Sequence, residues 1–414
     1  MDYRPMFDAI RAGVAIPEEY AFNMIIGRDN EKKLIENDID YISQTNMSKI
    51  RIFMGDYGYG KTTLAKYAIS VASQKAFLYS LLTEKDYKGI YKQDEFFKTI
   101  MRNLKFAGFE DNPLEFIMNT WAEKMEEKHG ENIKEFNIEQ IRKHLKNEEK
   151  LSGGFLIDIC AAYLHNFINK KSNSHLLAYL YGDKIEKREL RQYGITHFLE
   201  DDGWNFLDNF MCLMRSLGVI QGLLLVMDEL ENLRQCRSDI RGKTYNHLRD
   251  IFDKLPGGEI KGIYSIWLGT MDWLEDASKG IKSYSALYDR IKSETQVQTS
   301  ESIVIEMGYL KQNDVKEVVK KFVSLYEEAY STNVGSEKLK QIQKHAVSKF
   351  SDSQGEISIA PRRIIKWLVE VLDRLKDSPG AINDVLEQVP VALTTGEESG
   401  ANYDDLFDGE DENE

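Results

Sequence analysis

Residues 55 to 62 read Gly55-Asp56-Tyr57-Gly58-Tyr59-Gly60-Lys61-Thr62, a complete G-x-x-x-x-G-K-[ST] pattern, and no other stretch restricts the fold of this chain as much. The glycines let the backbone curl so that successive N–H groups converge on phosphate oxygens, and the positive end of the following helix reinforces that anion site. Such a loop belongs between a buried strand and a helix. The flanking residues supply both. Ile50, Ile52 and Phe53 lie in a run rich in β-branched and aromatic residues, as a buried parallel strand requires. Leu64, Tyr67, Ala68 and Val71 recur at i, i+3, i+4 and i+7 and mark a helix with one buried stripe. In this setting Lys61 reaches the β and γ phosphates and the Thr62 hydroxyl ligates magnesium. The expected ligands are ATP and Mg2+, and the expected contacts are Gly55, Asp56, Tyr57, Gly58, Tyr59, Gly60, Lys61, Thr62 and Thr63.

More strands follow the same logic. Ala76-Phe77-Leu78-Tyr79-Ser80-Leu81 reads as a second strand, and the fully apolar Gly222-Leu223-Leu224-Leu225-Val226-Met227 reads as another. Gly262 to Leu268 is a further apolar strand that ends in Gly269-Thr270. Strands separated by helices, with a phosphate loop after one of them, imply a doubly wound α/β sheet whose ligand sits at the carboxyl ends of the strands.

The strand at Gly222 ends in Asp228-Glu229. Two carboxylates at the end of a buried strand are costly unless a cation or a reaction requires them. The pair fits a Walker B element, in which Asp228 holds magnesium through water and Glu229 polarises the attacking water for in-line displacement at the γ phosphate. Thr270, at the tip of the later strand, is placed to orient that water, although a strand-ending Gly-Thr is also an ordinary turn. Arg290, in Ser285-Ala286-Leu287-Tyr288-Asp289-Arg290-Ile291, fits an arginine finger pointing into a neighbour's site. It equally fits a surface arginine paired with Asp289. Arg362, after Ala360-Pro361, is placed to swing onto the γ phosphate; Arg363 is its rival by one position, and either is consistent with packing alone.

Other chemistries find no support. The seven histidines show no H-E-x-x-H or other metal spacing, and no Ser/His/Asp set stands out. Cys160, Cys212 and Cys236 are odd in number and far apart, which suggests neither a disulfide framework nor a zinc knuckle. The five tryptophans, Trp121, Trp204, Trp267, Trp273 and Trp367, read as core or interface residues. No run approaches the roughly 18 apolar residues that span a bilayer, and Met1-Asp2-Tyr3-Arg4-Pro5 lacks the apolar core of a signal peptide. The expectation is a cytoplasmic protein with no membrane partner.

Charge is unevenly spread. The formal net charge is −14, but the last 19 residues, Gly396 to Glu414, hold nine carboxylates and no Lys or Arg, so the body is much closer to neutral. A basic groove for DNA on that body stays open. The tail is expected to be disordered. Its Tyr403-Asp404-Asp405-Leu406-Phe407-Asp408 fits either docking on a basic partner groove or simple solubilisation.

At 414 residues the chain has room for about two or three compact units. The segment Ile26-Gly27-Arg28-Asp29-Asn30-Glu31 precedes a helix carrying Leu34, Ile35, Ile39 and Ile42, an arrangement that wraps the nucleotide base in AAA+ ATPases. A plain helix start capped by Asp29 is equally consistent. The expected organisation is an N-terminal segment with this base-binding box at 1–30, then a nucleotide-binding domain at 31–304. A helical insertion at 105–204, without β alternation, interrupts that domain; a packed elaboration and a partner or DNA platform both fit it. A helical lid at 305–390, whose third helix starts at Pro361, and an acidic tail at 391–414 complete the chain. The fold class is α/β, a P-loop NTPase of AAA+ type with a parallel sheet flanked by helices, a large helical insertion and a C-terminal helical lid.

The chain to about residue 390 resembles the AAA+ ATP-binding proteins of BREX-type phage-defence systems, which are related to origin-recognition initiator ATPases. The resemblance rests on Ala12-Gly13-Val14, the phosphate loop, Leu180-Tyr181-Gly182-Asp183, Tyr193-Gly194-Ile195, and Gly222 through Asp228-Glu229-Leu230-Glu231. It extends over Leu268-Gly269-Thr270 and Tyr284 to Arg290. It implies an ATPase that works with other defence-system proteins, as a homo-oligomeric motor or switch, with DNA as a candidate substrate. Two alternatives stay open: a non-motor nucleotide switch that recruits effectors, and a DNA-loading or target-selecting ATPase of initiator or transposition-regulator type. Initiator relatives carry a C-terminal winged helix for DNA, whereas this chain ends in a short helix and the acidic tail.

Overall fold

The computed structural model describes residues 1–390 apart from 15, 18–19, 21–23, 108, 110, 148–153, 197, 201, 293–298, 300 and 378–381. The acidic tail expected at 391–414 therefore lies outside the described residues. Helices α1 (Arg4–Ala12) and α2 (Asp29–Thr45) precede strand β1 (Lys49–Met54), and α3 (Lys61–Gln74) leads into β2 (Phe77–Leu82). Next come α4 (Gln93–Arg102) and the short β3 (Leu104–Phe106). A helical stretch follows: α5 (Pro113–His129), α6 (Glu131–Lys134), α7 (Ile138–Asn147), α8 (Gly154–Ile168), α9 (Ser174–Leu180), α10 (Lys187–Arg191) and α11 (Gly203–Ser216). The sheet resumes with β4 (Gly222–Met227), α12 (Ser238–Lys254), β5 (Ile263–Gly269), α13 (Met271–Glu275), α14 (Ser285–Ile291) and β6 (Val304–Glu306). Helices α15 (Gln312–Tyr330), α16 (Ser336–Phe350), α17 (Pro361–Asp377) and α18 (Ile382–Gln388) complete the described chain.

The strand order is β3-β2-β4-β5-β1-β6, and every neighbouring pair is parallel except β2–β3. Register aligns the carboxyl ends: Met54 opposes Gly269, and Met227 opposes both Leu82 and Trp267. Gly55, Thr270 and Asp228, the next residues of three adjacent strands, thus leave the sheet along one edge. The expected parallel sheet is accordingly mixed. Leu104–Phe106 adds an antiparallel edge strand, with Ser80 opposite Leu104 and Leu78 opposite Phe106. Three residues are too few to show the alternation by which a strand is read from sequence, and this strand straddles the start of the stretch expected to be purely helical.

Alternation along the strands sorts the core into two layers. Phe53, Phe77, Leu224, Val226, Ile266 and Leu268 pack with Ile35 and Ile39 of α2 and Leu64 and Ala68 of α3. Ile52, Met54, Leu78, Leu225 and Met227 face the other way. That second face is covered by the helical stretch: Trp121, Ile159, Phe206 and Phe210 belong to the same buried cluster. The Phe97 ring meets Phe206 and Phe210 edge-on, with centroids 4.9 and 5.6 Å apart. The inserted helices are therefore continuous with the sheet's core. All five tryptophans are buried, and Trp204 stacks on His247 at 4.9 Å.

The C-terminal helices form a separate cluster, and α1 belongs to it. Met6, Phe7 and Ile10 pack with Val319 and Phe322 of α15 and with Leu368 and Leu372 of α17. Arg11 binds Asp373 bidentately at 2.7 and 2.8 Å. The sequence reading groups α1 with the base-binding box, because a nine-residue helix shows its apolar stripe but not the surface, more than 300 residues away, that covers it.

One buried ion pair pins α2 to the strand that carries the phosphate loop. Arg51 of β1 donates Nε and Nη2 to Asp38 of α2 at 2.9 and 2.8 Å, with both side chains at most 3% exposed. The Tyr264 hydroxyl of β5 donates to the same carboxylate at 2.9 Å. Removing one member of such a pair strands the other charge in a dry site. Asp38→Ala is expected to cost about 3–5 kcal/mol, measured as a fall in Tm of the nucleotide-free protein, with Asp38→Asn less damaging.

Candidate nucleotide site

The loop after β1 is tied to the sheet at its first residue, where the Gly55 N–H donates to the Gly269 carbonyl of β5 at 3.1 Å. Gly60 ends the loop as the N-cap of α3 at φ 91°, a left-handed conformation that side chains resist. Gly58, at φ 82°, also lies under α17: a Cβ there would come within 3.2 Å of the Arg362 Cβ. Lys61 is 7% exposed. Its ammonium donates to the Gly55 carbonyl at 2.6 Å and the Asp56 carbonyl at 3.3 Å, with the exposed Tyr57 ring 5.5 Å away. The charge is therefore held over the loop by neutral carbonyl partners, with no carboxylate paired to it among the described residues.

Arg28 closes the far side of the loop. Its guanidinium, buried behind the segment 26–31, donates to the Tyr59 carbonyl at 3.0 Å and to the Gly308 carbonyl at 2.8 Å. This joins the N-terminal box, the phosphate loop and the connection from β6 to α15. The Tyr59 and Tyr309 rings, tilted by 42°, lie with centroids 5.1 Å apart beside that clamp.

Opposite the loop stands the end of β4. Asp228 is 3% exposed, and both oxygens of its carboxylate are held: Oδ2 accepts from the Thr62 hydroxyl at 2.8 Å and Oδ1 from the Glu229 N–H at 2.9 Å. The Tyr87 hydroxyl donates to the Asp228 carbonyl. Burial pushes the Asp228 carboxyl up, opposed by the Thr62 and Glu229 hydrogen bonds and by the charge of Lys61. Glu229 has φ 58°, a left-handed conformation unusual for a long side chain and of the kind that collects at functional sites. Glu231, on the 3-10 turn Leu230–Gln235, is 5% exposed. Burial raises its pKa, and the charge of Lys61 works against that rise.

The remaining expected residues sit at different distances from this centre. Thr270 is buried at the tip of β5, where its hydroxyl accepts from the Trp273 N–H at 3.4 Å and caps α13. Arg290 lies on the surface, paired with Asp253 of α12 at 2.6 Å rather than with Asp289, and also bonded to the Ala286 carbonyl at 2.5 Å. Arg362 meets the loop through its backbone, its N–H donating to the Gly58 carbonyl at 3.3 Å, while its guanidinium reaches the Gly13 carbonyl. The Arg363 N–H donates to the Ala360 carbonyl at 3.0 Å. The structure thus brings together Lys61, Thr62 and Asp228, and leaves Arg290 and the Arg362 guanidinium on other partners.

Three contributors escape sequence reasoning. Tyr87 has no motif around it, and its role depends on a contact 141 residues away. Arg28 is visible in the box, but nothing local shows that it reaches two carbonyls on other elements. Glu231 appears in the Asp-Glu-Leu-Glu run, and only its burial distinguishes it from a solvated acid.

The donor set suits magnesium. A hydroxyl and a carboxylate side by side are hard oxygen donors, and magnesium needs only one or two protein ligands beside phosphate oxygens and water. Among the described residues no helix is long and apolar enough to cross a membrane.

The profile of the family described as BREX system ATP-binding protein BrxC/D matches residues 2–388. No curated protein matches the chain. Among solved structures, the Walker-type ATPase PABY2304 of Pyrococcus abyssi is 12% identical with a TM-score of 0.36, over 88% of this chain and 71% of that one. The ORC2 protein of Aeropyrum pernix, in ADPNP–ADP complexes, is 10% identical with a TM-score of 0.41, over 89% of this chain and 71% of that one.

Proposed function

The chain belongs to the BREX system ATP-binding protein BrxC/D family, and on that premise we propose that it is a cytoplasmic AAA+ ATPase that binds and hydrolyses ATP with Mg2+. It acts as an oligomeric motor or switch in a multi-protein anti-phage defence system, with other proteins of that system and DNA as partners. The observation that carries this reading is the Thr62–Asp228 hydrogen bond of 2.8 Å, which joins the phosphate loop to the Walker B strand. Two elements distant in sequence meet where a triphosphate and its cation must be held together.

Each residue then has a defined task. The loop amides from Gly55 to Thr63 take the phosphate oxygens, and Lys61 exchanges its two carbonyl partners for the β and γ phosphates. Thr62 and, through water, Asp228 would hold magnesium, which would supply positive charge to offset that of the phosphates. Glu229 accepts a proton from the attacking water. The Thr270 hydroxyl, whose capping bond uses it only as an acceptor, donates its proton to orient that water. Arg362 leaves the Gly13 carbonyl for the γ phosphate when the lid adjusts.

Arg290 completes the site of a neighbouring subunit. Its bonds to Asp253 and Ala286 involve none of its own phosphate-loop residues, which supports a role in trans. Arg290→Ala is expected to leave ATP affinity within about threefold and to lower turnover about 100-fold, the scale of losing one transition-state donor. Loss of affinity with unchanged turnover per bound site would mark Arg290 as structural. The reading as a whole is tested by measuring ATP turnover and mass distribution of the purified protein, with and without duplex DNA. Turnover per subunit that rises with protein concentration supports an assembled ATPase, and a monomer with full turnover at all concentrations contradicts it.

A further inference from the structure

Glu231 carries a carboxylate of which folding leaves one oxygen without a protein partner. The residue is 5% exposed, and its Oε2 is shielded from solvent and accepts no hydrogen bond. Its position is enforced, because Leu230 and Leu233 of the same turn are completely buried. It stands three residues after Asp228, on the turn that leaves β4 at the carboxyl edge of the sheet where the loop after β1 also emerges, and the charges of Lys61, Asp228 and Arg234 act on it. Neither cation cancels it. Among the described residues no ion pair joins Glu231 to Lys61 or Arg234: Arg234 is committed to Asp276 at 2.8 Å, and Lys61 to the loop carbonyls.

A buried carboxylate with an idle oxygen is expensive, and native proteins leave few such groups without a reason. Here the cost falls three residues after Asp228, whose carboxylate and Thr62 partner are the hard-oxygen donor pair of the site. What the Glu231 Oε2 lacks is a hydrogen-bond donor. A hydrated divalent cation supplies donors in a setting of hard oxygens, because magnesium keeps several of its waters when it binds. We infer that Glu231 is a positioning residue for the magnesium ion of the ATP site, accepting a hydrogen bond from one of its waters as a second carboxylate beside Asp228. The inference rests on the nucleotide reading given above.

The test is nucleotide binding without turnover. The affinity of the full chain for a fluorescent ATP analogue is measured in excess Mg2+ and in EDTA, for the wild type, Glu231→Gln and Glu231→Asp, and the nucleotide-free proteins are melted in parallel. Outer-shell partners of a bound metal are typically worth 10- to 100-fold in metal affinity. Glu231→Gln should therefore keep the wild-type affinity in EDTA within about threefold and lose about tenfold or more of the gain on adding Mg2+. Glu231→Asp, with its charge retained at shorter reach, should keep part of that gain. The Tm of nucleotide-free Glu231→Gln should equal or exceed the wild type, since an idle buried charge has been removed. An undiminished Mg2+ gain in Glu231→Gln overturns the inference alone. So does a lowered Tm of both nucleotide-free variants, which would make the group structural. A wild type that binds the analogue in neither condition overturns the nucleotide site itself, and this inference with it.

Discussion

Lys61→Ala should raise the Kd for ATP about 1000-fold while the protein stays folded. Two charge-assisted contacts to phosphate are worth about 1.5–3 kcal/mol each, and about 4 kcal/mol is a factor of 1000 in Kd. The structure adds a second reason. Lys61 is a cation that acts on both Asp228 and Glu231, so its loss leaves the cleft lined by carboxylates that repel a triphosphate. The loop itself should persist, since Gly55 remains anchored to Gly269 and Arg28 still holds the Tyr59 carbonyl. Fluorescence titration with an ATP analogue measures the effect, and melting of the nucleotide-free variant checks the fold. Near-normal affinity in a folded Lys61→Ala protein would remove the basis for the site.

Glu229→Gln should give the opposite signature: ATP bound with affinity close to the wild type, and turnover lowered about 1000-fold. A positioned general base contributes roughly 10²- to 10⁴-fold, and an amide of the same size cannot take the proton of the attacking water. Glutamine fits the left-handed backbone at φ 58° no worse than glutamate does, so the loss should be chemical and not conformational. Single-turnover measurement and recovery of unhydrolysed ATP with the protein after gel filtration would register the trapped state. Normal turnover by this variant would refute the assigned base. Read together, the two substitutions separate binding from chemistry.

Much of the architecture was legible because the signals are local. The strand expected at 76–81, the apolar run ending in Asp228 and the strand ending near Thr270 are each contiguous and largely buried, and their observed limits differ from the expected ones by at most about one residue. Lys61 and Thr62 are specified by spacing within eight positions. The short edge strand Leu104–Phe106 was not legible, because three residues have no period. The assignment of α1 to the C-terminal helices was hidden for another reason. Phe7 finds Phe322 and Tyr326 only after the chain has returned on itself. The neighbour of Arg290 was misjudged in the same way: adjacency in sequence favours Asp289, whereas consecutive positions on a helix point in different directions, and packing of α14 on α12 supplies Asp253.

By itself the sequence determined the type of site: a strand, a glycine-rich turn, a lysine and a hydroxyl at fixed spacing, and an acidic pair at the end of another strand. These depend on backbone conformation and residue chemistry over a few positions, which any fold must respect. Tertiary structure alone decided which groups face one another and which are dry. It set the Thr62 hydroxyl 2.8 Å from Asp228, buried Asp38 against Arg51, turned the Arg362 guanidinium toward Gly13 and left one oxygen of Glu231 without a donor. The physical reason is that desolvation belongs to an environment assembled from distant segments, and the cost or use of a charge is fixed only once that environment has closed around it.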